Sequence, residues 1–357
     1  EPATIDPAVR LSPVHNNNSM RVATMNRQPF LLLRGFQILV LLSTFLLSSC
    51  KPVVTFTGQS LLDDSGNEYG ELSWNITGKD TDEFQLTGVS IEPDIGAVET
   101  SGTLLVYPAE TTTYTLTAYA MGANNAVYNT VRQVTIHIGP RADFSLLEDT
   151  ALRVCLEDTG FTHLEQFDVI YCLDRGIQSV AGIEQFTLTR SVSLDNNSVA
   201  DLSPLAQMPL LNTLSLSNNG LATLDALTGS TALRNIVAYN NQISDVAMLA
   251  SMPQLLTLAL DQNQFTDASS LALLQQLQGL SVARNQLVNV APLGALSGLL
   301  ALDISHNGTT SGIPALRALT HASAIRSEGN GGVRCIDYAT LVLTLGPVVI
   351  FDKCRLF

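Results

Sequence analysis

Asp303, Ser305 and His306 place a carboxylate, a hydroxyl and an imidazole within four residues, the side-chain types of a nucleophilic relay. Strand alternation puts Asp303 and Ser305 on one side and turns His306 away or into the next bend, so no relay is expected. Asp261 and Asp303 form the other pair of interest, because two carboxylates can share acid and base work in glycan hydrolysis. Two repeats separate them, about 10 Å at strand spacing and near the upper limit for that chemistry. No aromatic sugar platform accompanies them. The run Asp63-Asp64-Ser65-Gly66-Asn67-Glu68 lacks the ligand spacing of a calcium loop and reads as a hairpin turn. With no phosphate-cradling glycine motif and no G-x-S-x-G, the chain is expected to be non-catalytic, with no cofactor and no metal.

A fixed period must position these residues. Asn197, Asn219, Asn241, Asn263, Asn285 and Asn307 recur every 22 residues and Asn330 follows after 23. Each closes the same phrase, clearest as LNTLSLSNNGL from Leu211 to Leu221, with apolar residues at positions 1, 4, 6 and 11 and Asn at position 9. That is the leucine-rich repeat signature. Alternation makes positions 3 to 6 a short strand that turns Leu214 and Leu216 inward and Thr213, Ser215 and Ser217 outward. A carboxamide donates and accepts, so the Asn column can pair buried backbone groups where the strand ends and tie successive turns together.

Between phrases, NSVADLSPLAQMPLL and NQLVNVAPLGALSGL complete a repeat that resembles the 22-residue bacterial repeats of the internalin type. The resemblance covers roughly residues 150 to 357. It implies a convex side of short helical or 3₁₀ turns, which Pro204, Pro253 and Pro292 suit. It also implies a concave sheet for recognising a protein or a glycan, though the ligand of an internalin does not carry over, because its aromatic contacts have no counterparts at matching positions here. Most outward positions are small, including Ser217, Ser281, Ala283 and Ser305. Binding surfaces concentrate affinity in Trp, Tyr and Arg, which points to Tyr239 with Asp261, supported by Arg234, Arg284, Asp303 and Asp195.

The chain has 357 residues and a formal net charge of −14. Residues 1 to 49 hold four Arg against Glu1 and Asp6, leaving 14 basic and 30 acidic groups, or −16, in the remainder. Phosphate binding needs a basic footprint, so a nucleic-acid partner is not expected. From Met25, Arg27 and Arg34 precede the apolar run Phe36 to Leu47, and Leu47-Ser48-Ser49-Cys50 resembles the bacterial lipobox. Twelve residues are too few to span a bilayer. The resemblance implies removal of residues 25–49, a diacylated Cys50 and a membrane-anchored, exported protein. Lys51 in place of Asp favours the outer membrane. Residues 1–24 look like upstream sequence, the start being Met20 or Met25.

Export admits disulfides. The four remaining cysteines fall as a close pair at each end of the repeats, Cys155 with Cys172 and Cys335 with Cys354. With no CxxC, a zinc site is not expected. Solenoids need terminal caps, placed at 149–188 and 331–357 around repeats at 189–330. In the first cap Phe167, Ile170, Cys172 and Ile177 fill positions 1, 4, 6 and 11 of a degenerate phrase, with Arg175 where Asn would stand. A short helix opens there with Asp149 or Thr150 as its N-cap.

Residues 50–139 alternate apolar and Thr-rich positions between Gly, Asp, Asn and Pro, as a β-sandwich does. The stretch IGAVETSGTLLVYPAETTTYTLTA resembles bacterial immunoglobulin-like modules, implying a core Trp74, a buried Tyr114 and, without cysteines, no inter-sheet bridge. A linker is expected at 140–148. The whole reads as mainly β with short helical turns, a leucine-rich repeat solenoid preceded by an immunoglobulin-like sandwich that acts as a stalk. A structural scaffold of the cell envelope is the rival role.

Overall fold

A computed structural model describes residues 52–355 apart from 64, 78–79, 82–83, 123–124 and 353. Residues 1–24, the signal sequence expected at 25–49 and Cys50 lie outside the described residues. The chain divides into two compact units, the second beginning at Gly139.

The first unit is a β-sandwich. One antiparallel sheet, in the order β1-β2-β6, is made of β1 (Val53–Leu62), β2 (Glu68–Thr77) and β6 (Ser101–Val106). The other is made of β3 (Asp80–Thr81), β4 (Phe84–Glu92), β7 (Thr112–Gly122) and β8 (Val127–Ile136), in that order, with β5 (Gly96–Ala97) paired to β4. Alternate residues of both sheets form one core, Leu72, Trp74 and Ile76 of β2 meeting Ile91 of β4 and Tyr114 and Leu116 of β7. The Trp74 indole donates to the Glu99 carbonyl at 2.9 Å, which satisfies its one polar atom. Asp63 closes the β1–β2 hairpin by accepting from the N–H groups of Ser65 and Asn67. The Asn67 side-chain bond, reinforced by those backbone donors, lowers the carboxyl pKa of Asp63.

The second unit is the solenoid. Nine short parallel strands stack in chain order: β9 (Val169–Tyr171), β10 (Ser191–Ser193), β11 (Thr213–Ser215), β12 (Asn235–Val237), β13 (Thr257–Ala259), β14 (Gly279–Ser281), β15 (Ala301–Asp303), β16 (Ala324–Arg326) and β17 (Val349–Ile350). The register is constant, with Leu214 opposite Val192 and Ile236. Position 4 therefore stacks on position 4 along the core, where Leu214, Ile236, Leu258, Leu280 and Leu302 are all at most 2% exposed. The cap before the first full repeat carries the helix α1 (Thr150–Glu157), and the return segments between strands are 3₁₀ turns or, once, the single-turn helix α2 (Ser203–Ala206). Pro204 and Pro292 each stand in the first turn of their return segment, where a missing N–H costs nothing.

Both ends are stapled, Cys155 to Cys172 and Cys335 to Cys354. Asp149 is the N-cap of α1, accepting from Ala151 and Leu152 with one oxygen and from Gln178 and Ser179 with the other. Partial burial raises its pKa, but these four backbone bonds outweigh that and hold the carboxyl below the usual range. The segment 140–148 is not a free linker. Leu147 is fully buried in the solenoid core, Ala142 and Phe144 pack on it, and Ala142 and Thr162 are joined by a backbone hydrogen bond. Its apolar residues cover the open end of the degenerate repeat, and three of them scattered among polar neighbours gave no period to read. At the far end α3 (Cys335–Leu345) and β17 close the core around the buried Tyr338.

Candidate binding face

The Asn column frames one edge of the sheet. All seven side chains are at most 8% exposed. Asn241 shows the pattern: its oxygen accepts from the N–H groups of Asn219 and Leu221, and its amide donates to the carbonyls of Leu216 and Ala238. One carboxamide thus pairs buried groups of its own turn and of the preceding one, which no apolar side chain could do. Asn285 differs. Its amide donates to Leu260 and Val282, whereas its oxygen has no partner.

Beside this column runs a second one that sequence reasoning missed. Asp174, Asn196, Asn218, Asn240, Gln262, Arg284 and His306, at position 8, all have φ between 52° and 59°, and Gly329 follows at 71°. Every turn bends through a left-handed residue just before its buried Asn. The side chains of Asn196, Asn218 and Asn240 also bond in file. The available signal was the run of Asn, Gln and Gly there, types that tolerate this conformation, but Arg284 and His306 interrupt it.

The sheet face itself is less open than alternation implies. Ser193, Ser217, Gly279, Ser281, Ala283 and Ser305 are buried. Neighbouring repeats at about 4.8 Å leave small side chains little accessible area. Much of the remaining polarity is bonded within the face. Thr257 donates to Asn235, which donates to Thr213, which donates to Asn212. Asp195 accepts from the Ser215 hydroxyl and the Ser217 N–H, both at 2.7 Å. Asp261 does the same three repeats on, accepting from the Ser281 hydroxyl and from the Ala283 N–H. Burial pushes the Asp261 carboxyl up, against those hydrogen bonds, and the nearby Asp303 charge pushes the same way. These two aspartates latch one repeat to the next, a role that competes with the ligand contact expected of them. The Arg234 guanidinium folds onto the carbonyls of Thr231, Ala232 and Leu233 in its own repeat, so it too is engaged internally. Arg284 is exposed, in the left-handed column at the edge. Asp303 accepts from the Ser305 N–H, the Ser305 hydroxyl has no partner, and the His306 ring lies over Gly329, where a Cβ would come within 2.1 Å of Nδ1.

Two aromatic side chains break the small polar surface. Tyr239 stands half-buried at position 7 between Ser217 and Asp261. On β9 Tyr171 is 67% exposed and Val169 49%. The sequence missed this second pair because the degenerate phrase of β9 reads as cap rather than as face.

The leucine-rich repeat part of the model for leucine-rich repeat and WD repeat-containing protein 1 matches residues 191–280. No curated protein matches the chain. Among solved structures, internalin C2 of Listeria monocytogenes is 25% identical with a TM-score of 0.53, covering 61% of this chain and 99% of its own. A second Listeria monocytogenes internalin is 18% identical, TM-score 0.43, covering 60% and 78%. A leucine-rich repeat protein of Leptospira interrogans is 22% identical, TM-score 0.45, covering 49% and 46%. Repeat period, parallel sheet, Asn column and the internalin C2 likeness agree: residues 139–355 fold as a leucine-rich repeat solenoid similar in architecture to that of an internalin.

Proposed function

We propose that this is an exported, lipid-anchored binding protein without catalytic activity, whose solenoid recognises a protein through its sheet face while an immunoglobulin-like sandwich serves as a stalk. The observation that carries the reading is the exposure of Tyr171 and Val169, with Tyr239 three strands away, on a face many of whose other polar groups bond to one another. Aromatic side chains on a rigid surface supply contact area at low entropic cost. The engaged carboxylates of Asp195, Asp261 and Asp303 leave no pair free to act as acid and base.

Capture of partners from envelope and host-surface extracts by the full chain tests this. Tyr171→Ala should weaken a captured complex about 30-fold, the loss of one hot spot of about 2 kcal/mol, with Tyr239→Ala weaker because that ring is half covered. Equal capture by both variants would remove the face from consideration. Protease treatment of intact cells separates a surface binder, which loses its solenoid, from an envelope scaffold, which is protected until the outer membrane is broken.

A further inference from the structure

The outer face of the β7–β8 sheet carries a contiguous apolar patch at one end. Met121 stands directly opposite Val127 in the antiparallel register, Tyr119 opposite Asn129, and Thr117 opposite Val131. Opposed residues share a face, so Tyr119 is diagonal to both Val127 and Val131, Met121 faces Val127, and Asn129 stands among them. Their exposures are 40% for Tyr119, 40% for Met121, 72% for Val127 and 45% for Val131. Along the same two strands toward the other end, the outer positions become Thr113, Thr115, Gln133 and Thr135, which are hydroxyl or amide groups paired across the strands. One end of this face is therefore apolar and the other polar.

The apolar end is also the end at which the chain enters the sandwich. A Cβ built on Gly58 of β1 would lie 2.8 Å from Val134 and 3.0 Å from Ile136, and the His137 N–H donates to the Ser60 hydroxyl at 2.9 Å. Numbers rise together on the two strands, so β1 and β8 run in the same direction and Val53, itself 62% exposed, starts at about the level of residue 130. Cys50 precedes Val53 by three residues, a tether of at most about 10 Å. From that level β8 extends three residues further in the same direction, to Val127, a rise of about 10 Å. The tether is therefore long enough for a lipid on Cys50 to reach the level of Val127.

We infer that the patch of Tyr119, Met121, Val127 and Val131 rests on the bilayer surface and that the sandwich is held against the membrane at two points, the lipid and the hairpin. This rests on the lipid anchor proposed above. Its chemistry fits an interface: three apolar side chains for the acyl boundary and a tyrosine whose ring and hydroxyl suit the headgroup level. A diacyl anchor holds the protein at the membrane but leaves it free to swivel about the lipid, and a second apolar contact fixes its orientation.

The full chain, produced with its anchor and reconstituted into vesicles of phosphatidylethanolamine and phosphatidylglycerol at about 3:1, provides the test, with an environment-sensitive fluorophore on Val127→Cys or on Gln133→Cys, six residues along the same face. The label at 127 should shift to the blue and be quenched at least about twofold by brominated phospholipid, while the label at 133 stays water-like. In a Met121→Asp background the quenching at 127 should fall toward the value at 133. A water-like label at 127 in protein whose intact mass carries diacylglycerol would overturn the hairpin contact while leaving the anchor in place. A mass without lipid would sink the anchor and this inference with it. Both labelled sites are exposed, so neither substitution asks the core to repack.

Discussion

Two neighbouring columns run the length of the solenoid and obey opposite rules. At position 9 the residue is Asn seven times and buried; at position 8 it is Asp, Asn, Gln, Arg, His or Gly and always left-handed. The first column is fixed by hydrogen-bond stoichiometry. A buried N–H pair on one side and two carbonyls on the other admit a carboxamide of one length. The second is fixed only in backbone conformation, so side-chain identity drifts while φ does not. A strict sequence period therefore marks shared bonding, and shared geometry alone leaves a much fainter trace.

Replacing members of the buried column should produce the largest effects. Asn241→Ala strands two N–H groups and two carbonyls in the core and should cost about 3 to 5 kcal/mol in denaturant unfolding. Asn285→Ala gives the sharper test, because the Asn285 oxygen has no partner to lose; its cost should be smaller by about 1 to 2 kcal/mol. Equal losses at both positions would mean that the carbonyl-facing amide, and not the pairing of N–H groups, sets the column.

Where the column runs out, covalent bonds take over. Arg175 stands in the position an Asn would fill, and its N–H is served by Asn197 from the following repeat. The Cys172 that lies three residues earlier is tied to Cys155 of α1. Replacing both cysteines by Ser opens a loop of 17 residues and should cost about 3 kcal/mol on the chain-entropy model. The Cys335–Cys354 pair spans 19 residues and should cost about as much. Thermal unfolding of the two double variants checks both values. A much smaller loss at the first end would show that Asp149, which bonds α1 to residues 178 and 179, already holds that cap.

The repeats, their register, the cap helix with its Asp149 N-cap and the two sheets of the sandwich were legible because each depends on local periodicity or on one turn of chain. The face was legible only in part. Alternation gives the direction of a side chain, but the burial of Ser217 and Ser305 and the latching of Asp261 depend on neighbours 20 to 22 residues away. Tyr171 was missed because the degenerate phrase around it, although recognisable as a repeat, reads as part of the cap and not of the face. The folding of 140–148 into the cap was missed because three apolar residues have no period.

Asp261 extends the comparison into pH. Its carboxyl is raised, chiefly by burial, so the folded state holds that proton more tightly than the unfolded chain does. The stability from this group is full below the unfolded value near 3.8 and is lost as pH rises through the raised folded value. Asp261→Asn keeps an oxygen for Ser281 and Ala283 and removes the charge. The variant should match wild type at low pH and be the more stable of the two at neutral pH, as read from denaturation midpoints at each pH. The reverse order at neutral pH would mean that the ionised latch outweighs its desolvation.

The exposed column should give the smallest change, and one of opposite sign to the buried one. Arg284 holds φ at 55° with a full side chain, a conformation that costs a non-glycine residue about 1 kcal/mol or more. Arg284→Gly should therefore stabilise the solenoid by about 0.5 to 1 kcal/mol, the gain being trimmed by the larger freedom of glycine in the unfolded chain. Asn218→Gly relieves less, since Asn tolerates this backbone, and it forfeits the bonds to Asn196 and Asn240, so its effect should be close to zero or unfavourable. If instead both glycine variants lose stability by the same amount as Asn241→Ala, the second column is held by its side chains after all, and the distinction between bonding and conformation that separates the two files of residues fails.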